Sequence, residues 1–121
     1  MKLARIGNPG KEKPIIIDKD NNYRDISSVI KDFNSDNLNF ETIGKLDNIK
    51  VENLPILDKN QRIGACVNNP SKFIGIGLNF KDHAIEQNMP IPKEPIIFSK
   101  FTNSVSGPND DIVIPKNSNH T

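Results

Sequence analysis

Turn-forming clusters cut this 121-residue chain at such short intervals that the pieces between them have room only for short strands and short helices. Gly7-Asn8-Pro9-Gly10, Asp18-Lys19-Asp20-Asn21-Asn22, Asn68-Asn69-Pro70-Ser71, Asn88-Met89-Pro90 and Gly107-Pro108-Asn109 are the main breaks. They are built from residues that tolerate left-handed backbone or form local side-chain bonds, and from prolines that withhold an amide donor. Between the first breaks, the runs Leu3–Ile6, Ile15–Ile17 and Tyr23–Ile26 are rich in β-branched residues and predict an antiparallel meander.

Helical spacing follows. Val29, Ile30 and Phe33, with Ser27-Ser28 as caps, predict a first helix. A second begins near Asn39, with Ile43 and Leu46 on its apolar side. Leu54-Pro55-Ile56-Leu57 reads as extended, because the residue before proline avoids the α region. The break at 68–71 predicts a division into a small N-terminal domain, 1–68, and a second domain over 69–121. In the latter, Phe73–Gly77 reads as a buried-type strand. A helix over 80–87 follows, with Asn79 as N-cap and Asp82 completing a capping box. Further strands are predicted at Ile96–Phe98 and Ile112–Ile114, and 117–121 reads as loop, with His120 in solvent.

Bulk properties exclude several classes. Sixteen basic and 15 acidic residues give a net charge of only +1, without the concentrated basic patch that nucleic-acid binding requires. No apolar run approaches the length of a membrane span, and no apolar stretch follows Met1-Lys2 as a secretory signal would need. One cysteine, Cys66, cannot form an internal disulfide; in the run Ile63–Val67 it reads as a buried core thiol. A cytoplasmic protein is expected.

Chemistry concentrates on His83 and Glu86. Three residues apart on the predicted helix, they face one side a turn apart. A carboxylate beside an imidazole can orient its tautomer and raise its basicity, giving a general base or a water-activating pair. The same spacing also suits a solvated helix face, and spacing alone leaves both readings open. Gly75-x-Gly77 lacks the third glycine of a dinucleotide loop, Phe80 standing in its place, so these glycines instead suit a tight strand-to-helix turn. Asn109-Asp110-Asp111 reads as a turn rather than a calcium loop, since no twelve-residue ligand pattern follows.

The run from Phe73 to Glu86 resembles the "GxNYxxHxxE" signature of the fumarylacetoacetate hydrolase family, with Phe80 where tyrosine is usual. Glu94-Pro95-Ile96-Ile97-Phe98-Ser99-Lys100 is similar to that family's "EPxxFxK" strand, and Gly107–Pro115 to its "GPxDxIxxP" segment. Arg5-Ile6-Gly7 and Tyr23–Ser27 look like the small leading domain of the bacterial ureidoglycolate lyase and 2-hydroxyhepta-2,4-diene-1,7-dioate isomerase branch.

The resemblance implies an α+β, mainly β fold: the N-terminal antiparallel-strand and helix domain, then the start of a mixed β-roll catalytic domain. It implies a homodimeric enzyme that uses Mg2+ or Mn2+ to hydrolyse, cleave, decarboxylate or isomerise a small oxo or diketo acid. His83 and Glu86 would be the catalytic pair on a segment that orders over substrate, and Lys100 a residue near the substrate carboxylate.

In the family the acidic metal ligands follow the counterpart of Pro115, in a run like "DWExELxxV". The sequence reaches Thr121 where that run would begin, so no metal ligand and no bound metal are expected within it, nor activity from these residues alone. The rival expectation is a non-catalytic assembly or binding module. In a fragment of such an enzyme, the strands at 96–98 and 112–114 would lack sheet partners, leaving residues up to about Val67 the better ordered part.

Overall fold

The N-terminal runs pair as a meander and gain a fourth strand from farther along the chain. The computed structural model describes residues 1–118. Strands β1 (Lys2–Ile6), β2 (Lys13–Ile17), β3 (Tyr23–Asp25) and β4 (Ile56–Leu57) form one sheet in the order β1-β2-β3-β4, every pair antiparallel. The register sets Leu3 opposite Ile16 and Arg24 opposite both Ile16 and Ile56. The β2–β3 turn is closed by the Asp18 carboxylate, which accepts from the backbone amides of Asp20 and Asn22, while Asn21 takes the left-handed conformation at φ 60°. Asparagine tolerates that geometry better than most residues.

Helix α1 (Phe40–Asp47) begins where Asn39 can cap it, its side chain accepting from the Thr42 amide at 3.0 Å. Its Leu46 joins Ile16, Ile26, Ile30 and Phe33 in the core, with Leu3, Ile49, Val51 and Leu54 packed around them. Each such side chain contributes about 1.5–3 kcal/mol by leaving water. The core is therefore assembled from strand, turn and helix, and a turn of 3₁₀ helix at Val51–Asn53 leads back into β4.

All three arginines of the chain are anchored by acidic partners. Arg5, only 4% exposed, donates Nε and Nη2 to the Asp32 carboxylate at 2.6 and 3.0 Å and Nη1 to the Ala65 carbonyl. Glu12 lies between Arg5 and Arg62, accepting from them at 3.3 and 2.9 Å. Arg62 in turn donates Nε and Nη2 to the two carboxylate oxygens of Asp110. Burial of these charges is tolerable because each fork meets a carboxylate and, among the described residues, no buried side-chain polar atom lacks a partner. Burial opposes ionisation of Glu12, but the arginines outweigh it and hold its pKa below the ordinary value.

The chain divides into two compact units, one of Met1–Asn68 with residues from Ser106 onward, the other of Asn69–Val105. In the second, β5 (Phe73–Gly77) pairs antiparallel with β6 (Ile96–Lys100), and helix α2 (Lys81–Glu86) lies between them in sequence. The whole is α+β and mainly β, as the sequence implies.

Four expectations need correction. Residues 27–33 form no helix: the Ile26 carbonyl accepts from the amides of Val29 and Ile30, a single turn that goes no further. Continuation is prevented by Asp32, engaged by Arg5 and by the Phe33 amide, and by the Phe33 carbonyl, which accepts from Asn68. Residues 112–114 are exposed coil, since no strand among the described residues lies alongside them to complete a ladder. The 96–98 strand, expected to be unpartnered, is part of β6 and pairs along its length with β5. Cys66 is exposed, not buried: in that run it is Gly64 that is buried, and its amide bonds the Arg5 carbonyl. The solvent reading of His120, and the loop reading over 119–121, lie outside the described residues.

Candidate functional site

The second unit holds the sequence-derived candidates. Strand β5 ends at Gly77, and the chain turns into α2 through Leu78, which adopts left-handed backbone at φ 47°. The turn therefore does not use the glycines, which stay inside the strand. Their small size serves packing instead: Gly75 lies opposite Phe98, and a Cβ added there would collide with the Phe98 ring. Left-handed backbone is costly for leucine, so surrounding structure has to hold it there.

The N-cap position of α2 is Phe80, without a side-chain cap, so the expected Asn79–Asp82 capping box is not formed. The far end is better defined. Asn88 is left-handed at φ 52°, its amide donates to Ile85 and the Met89 amide to Ala84 at 2.8 Å, and Pro90 follows. That pair of bonds is the Schellman ending, and it stops the helix where the sequence places the break.

His83 and Glu86 lie on α2 three residues apart, and both are exposed; Ala84 is the helix residue that is buried. No hydrogen bond or ion pair joins their side chains or engages either of them, so both present free proton-accepting atoms to solvent. Beside the β5–α2 turn, a cleft of about 290 Å³ is lined by Gly77, Leu78, Asn79, Lys81 and Pro92 among others; neither His83 nor Glu86 lines it.

Lys100, at the end of β6, is exposed and carries its ammonium 5.5 Å from the centroid of the Phe73 ring and 5.9 Å from that of Phe98. Both are cation–π distances, so the two rings hold a charge that solvent would otherwise let wander. Phe73 and Phe98 were not legible as partners of this lysine in the sequence. The signal that finds them is strand pairing: Phe73 is directly opposite Lys100, and Phe98 lies two residues before it on the same face.

Nothing among the described residues forms a group of three or more His, Cys, Asp or Glu side chains able to hold a metal ion. Asp18, Glu12, Asp32 and Asp110 are each engaged by an arginine. The residues present do not fit a divalent cation by themselves. No helix among them is long and apolar enough to cross a membrane.

Residues 72–121 match the model of the fumarylacetoacetate (FAA) hydrolase C-terminal domain. Over 118 residues, 98% of its length, the chain is 50% identical to proteins named "Putative hydrolase" from Burkholderia multivorans and Burkholderia lata, and 49% identical to one from Burkholderia cenocepacia. It spans 42% of the length of each of these relatives.

Proposed function

We propose that this chain is part of a fumarylacetoacetate-hydrolase-family enzyme that acts on a small oxo or diketo acid, with His83 and Glu86 as its proton-handling pair. The observation that carries the reading is the coincidence of two things at one place. The family match begins at residue 72, immediately before β5, and it includes a helix that presents an unengaged imidazole and an unengaged carboxylate one turn apart.

A histidine near neutral pH can accept a proton from water or from the carbon beside a carbonyl, and a carboxylate nearby stabilises the imidazolium that results. Lys100, steadied by Phe73 and Phe98, supplies a positive charge suited to a substrate carboxylate. When bound, Mg2+ or Mn2+ would polarise the substrate carbonyl; no cluster of ligands for such an ion is formed among the described residues, so on this reading its ligands come from elsewhere in the complete enzyme. The expected setting is a cytoplasmic homodimer. The rival reading, a non-catalytic assembly module, draws its support from the exposed apolar residues of β5 and β6.

The test is a fusion of this chain to the portion of the Burkholderia multivorans relative that it does not match, assayed on acylpyruvates and oxaloacetate with Mg2+. Metal-dependent turnover is expected from the fusion, with a loss of about 100-fold or more on His83→Ala, as for other general bases. The chain alone should show none. Turnover by the chain alone above its own His83→Ala control would overturn the assignment of the metal ligands to another segment. A fusion that folds and binds Mg2+ but is indifferent to His83→Ala and Glu86→Gln would overturn the assignment of the pair.

A further inference from the structure

The β5–β6 ribbon carries apolar side chains on both faces. On one, Ile76 is directly opposite Ile97, and Ile74 lies two residues from Ile76; these three are 42%, 68% and 54% exposed. On the other, Ile96 and Phe98 are 45% and 44% exposed, with Phe98 over Gly75. Each strand also has one edge unpaired among the described residues.

A two-stranded ribbon with one wet face alternates apolar and polar residues. One apolar on both faces has the composition of a sheet covered on both sides, and two strands alone are marginally stable in water. The isoleucine face is therefore an interaction surface without its partner.

Its occupant follows from length. The chain aligns along 98% of itself with proteins of which it makes up 42%, so in those relatives more than half of the polypeptide is available to cover this ribbon. We infer that the Ile74–Ile76–Ile97 face of β5–β6 is the docking surface for that remaining portion of the relatives' fold, and that the two pieces associate even when supplied as separate chains. This rests on the family reading above. It goes beyond it in assigning the contact to one face and in requiring no covalent link.

The experiment mixes this full chain with a separately produced polypeptide, the unmatched portion of the Burkholderia multivorans relative. Stoichiometry is read by size exclusion with light scattering, and amide exchange is followed peptide by peptide. A one-to-one complex is expected, with new protection at 73–77 and 96–100. Ile76→Asp and Ile97→Asp should each weaken binding about tenfold or more, the cost of about 1.4 kcal/mol or greater. Unchanged exchange in β1–β3 serves as the check that those variants remain folded. The wild-type exchange map stands as an independent readout should they not.

Three results would overturn the inference. One is a complex whose new protection lies elsewhere while β5–β6 exchanges as before. A second is self-association of this chain through the isoleucine face in preference to the added piece, and the third is no complex at all. The family reading is judged separately, by the covalent fusion and its His83 dependence, so that either can fail without the other.

Discussion

Arg62 grips both carboxylate oxygens of Asp110, a residue 48 positions later in the chain, and thereby ties the Gly107 turn to the strand-and-helix unit. The same carboxylate accepts from the Gly107 amide at 2.6 Å, so one side chain closes the turn and anchors it. The arginine beside it, and secondarily that amide, hold the Asp110 pKa below the ordinary carboxylate range.

Asp110→Asn should therefore free the segment after Ser106 without unfolding the sheet. The amide side chain can still receive the Gly107 bond but no longer forms a charged fork with Arg62. Limited proteolysis should cut within 106–116 severalfold faster in the variant, with β1–β3 exchange unaltered. Loss of protection throughout the first unit would show that the pair does more than hold the turn.

Phe33 is 1% exposed and sits among Ile16, Ile26, Ile30 and Leu46. Phe33→Ala should cost about 3–5 kcal/mol, the lost transfer energy plus a cavity. Against the roughly 5–15 kcal/mol of an ordinary domain this is enough to unfold much of the population on mild warming. Thermal denaturation followed by circular dichroism gives the answer, and a shift of only a degree or two would mean the site collapses around the smaller side chain.

Acid should loosen the first unit in a defined window. Burial opposes ionisation of Asp18, but the bonds from Arg24, Asn22 and Asp20 outweigh it and lower its pKa to about 2. The unfolded chain takes up that proton near pH 4, the folded one only near pH 2. Between those values the unfolded state binds more protons, so stability falls as pH falls. Glu12, Asp25 and Asp110 are lowered as well and add to the same trend. Urea midpoints should hold steady from pH 7 to about 5 and drop below about 4, and Asp18→Asn should flatten part of that drop.

Gly75→Ala should disrupt the β5–β6 ribbon, because the new methyl meets the Phe98 ring. Overpacking of this kind costs about 1–3 kcal/mol. Exchange at 73–77 and 96–100 should accelerate, and Phe98→Leu in the same chain should restore part of the protection by vacating the space. Absence of any rescue would place the cost in the backbone and not in the ring.

Much of the architecture was legible because it is local. The runs before residue 26 fix three strands by β-branching and turn chemistry, Asn39 announces α1, and Asn88-Met89-Pro90 announces the end of α2. What escaped depends on distant partners. Val29, Ile30 and Phe33 satisfy helical spacing, and Ile30 and Phe33 do enter the core while Val29 stays exposed, yet Arg5 and Asn68 draw Asp32 and Phe33 out of the helical path. Ile112–Ile114 has the composition of a strand, but composition does not supply a neighbour. At the site, the sequence names His83, Glu86 and Lys100. It gives no sign that Leu78 bears the left-handed turn or that Phe73 and Phe98 share one ammonium.

The exposed position of Cys66 has a practical corollary for any study of association. A solitary thiol at the surface lets two copies become covalently joined under oxidising conditions, by a route unrelated to the isoleucine ribbon. A dimer that vanishes with reductant reports that sulfur bridge, and only one that survives it bears on the sheet. The same thiol offers a unique attachment point for a fluorophore, in the unit that holds the sheet β1–β4.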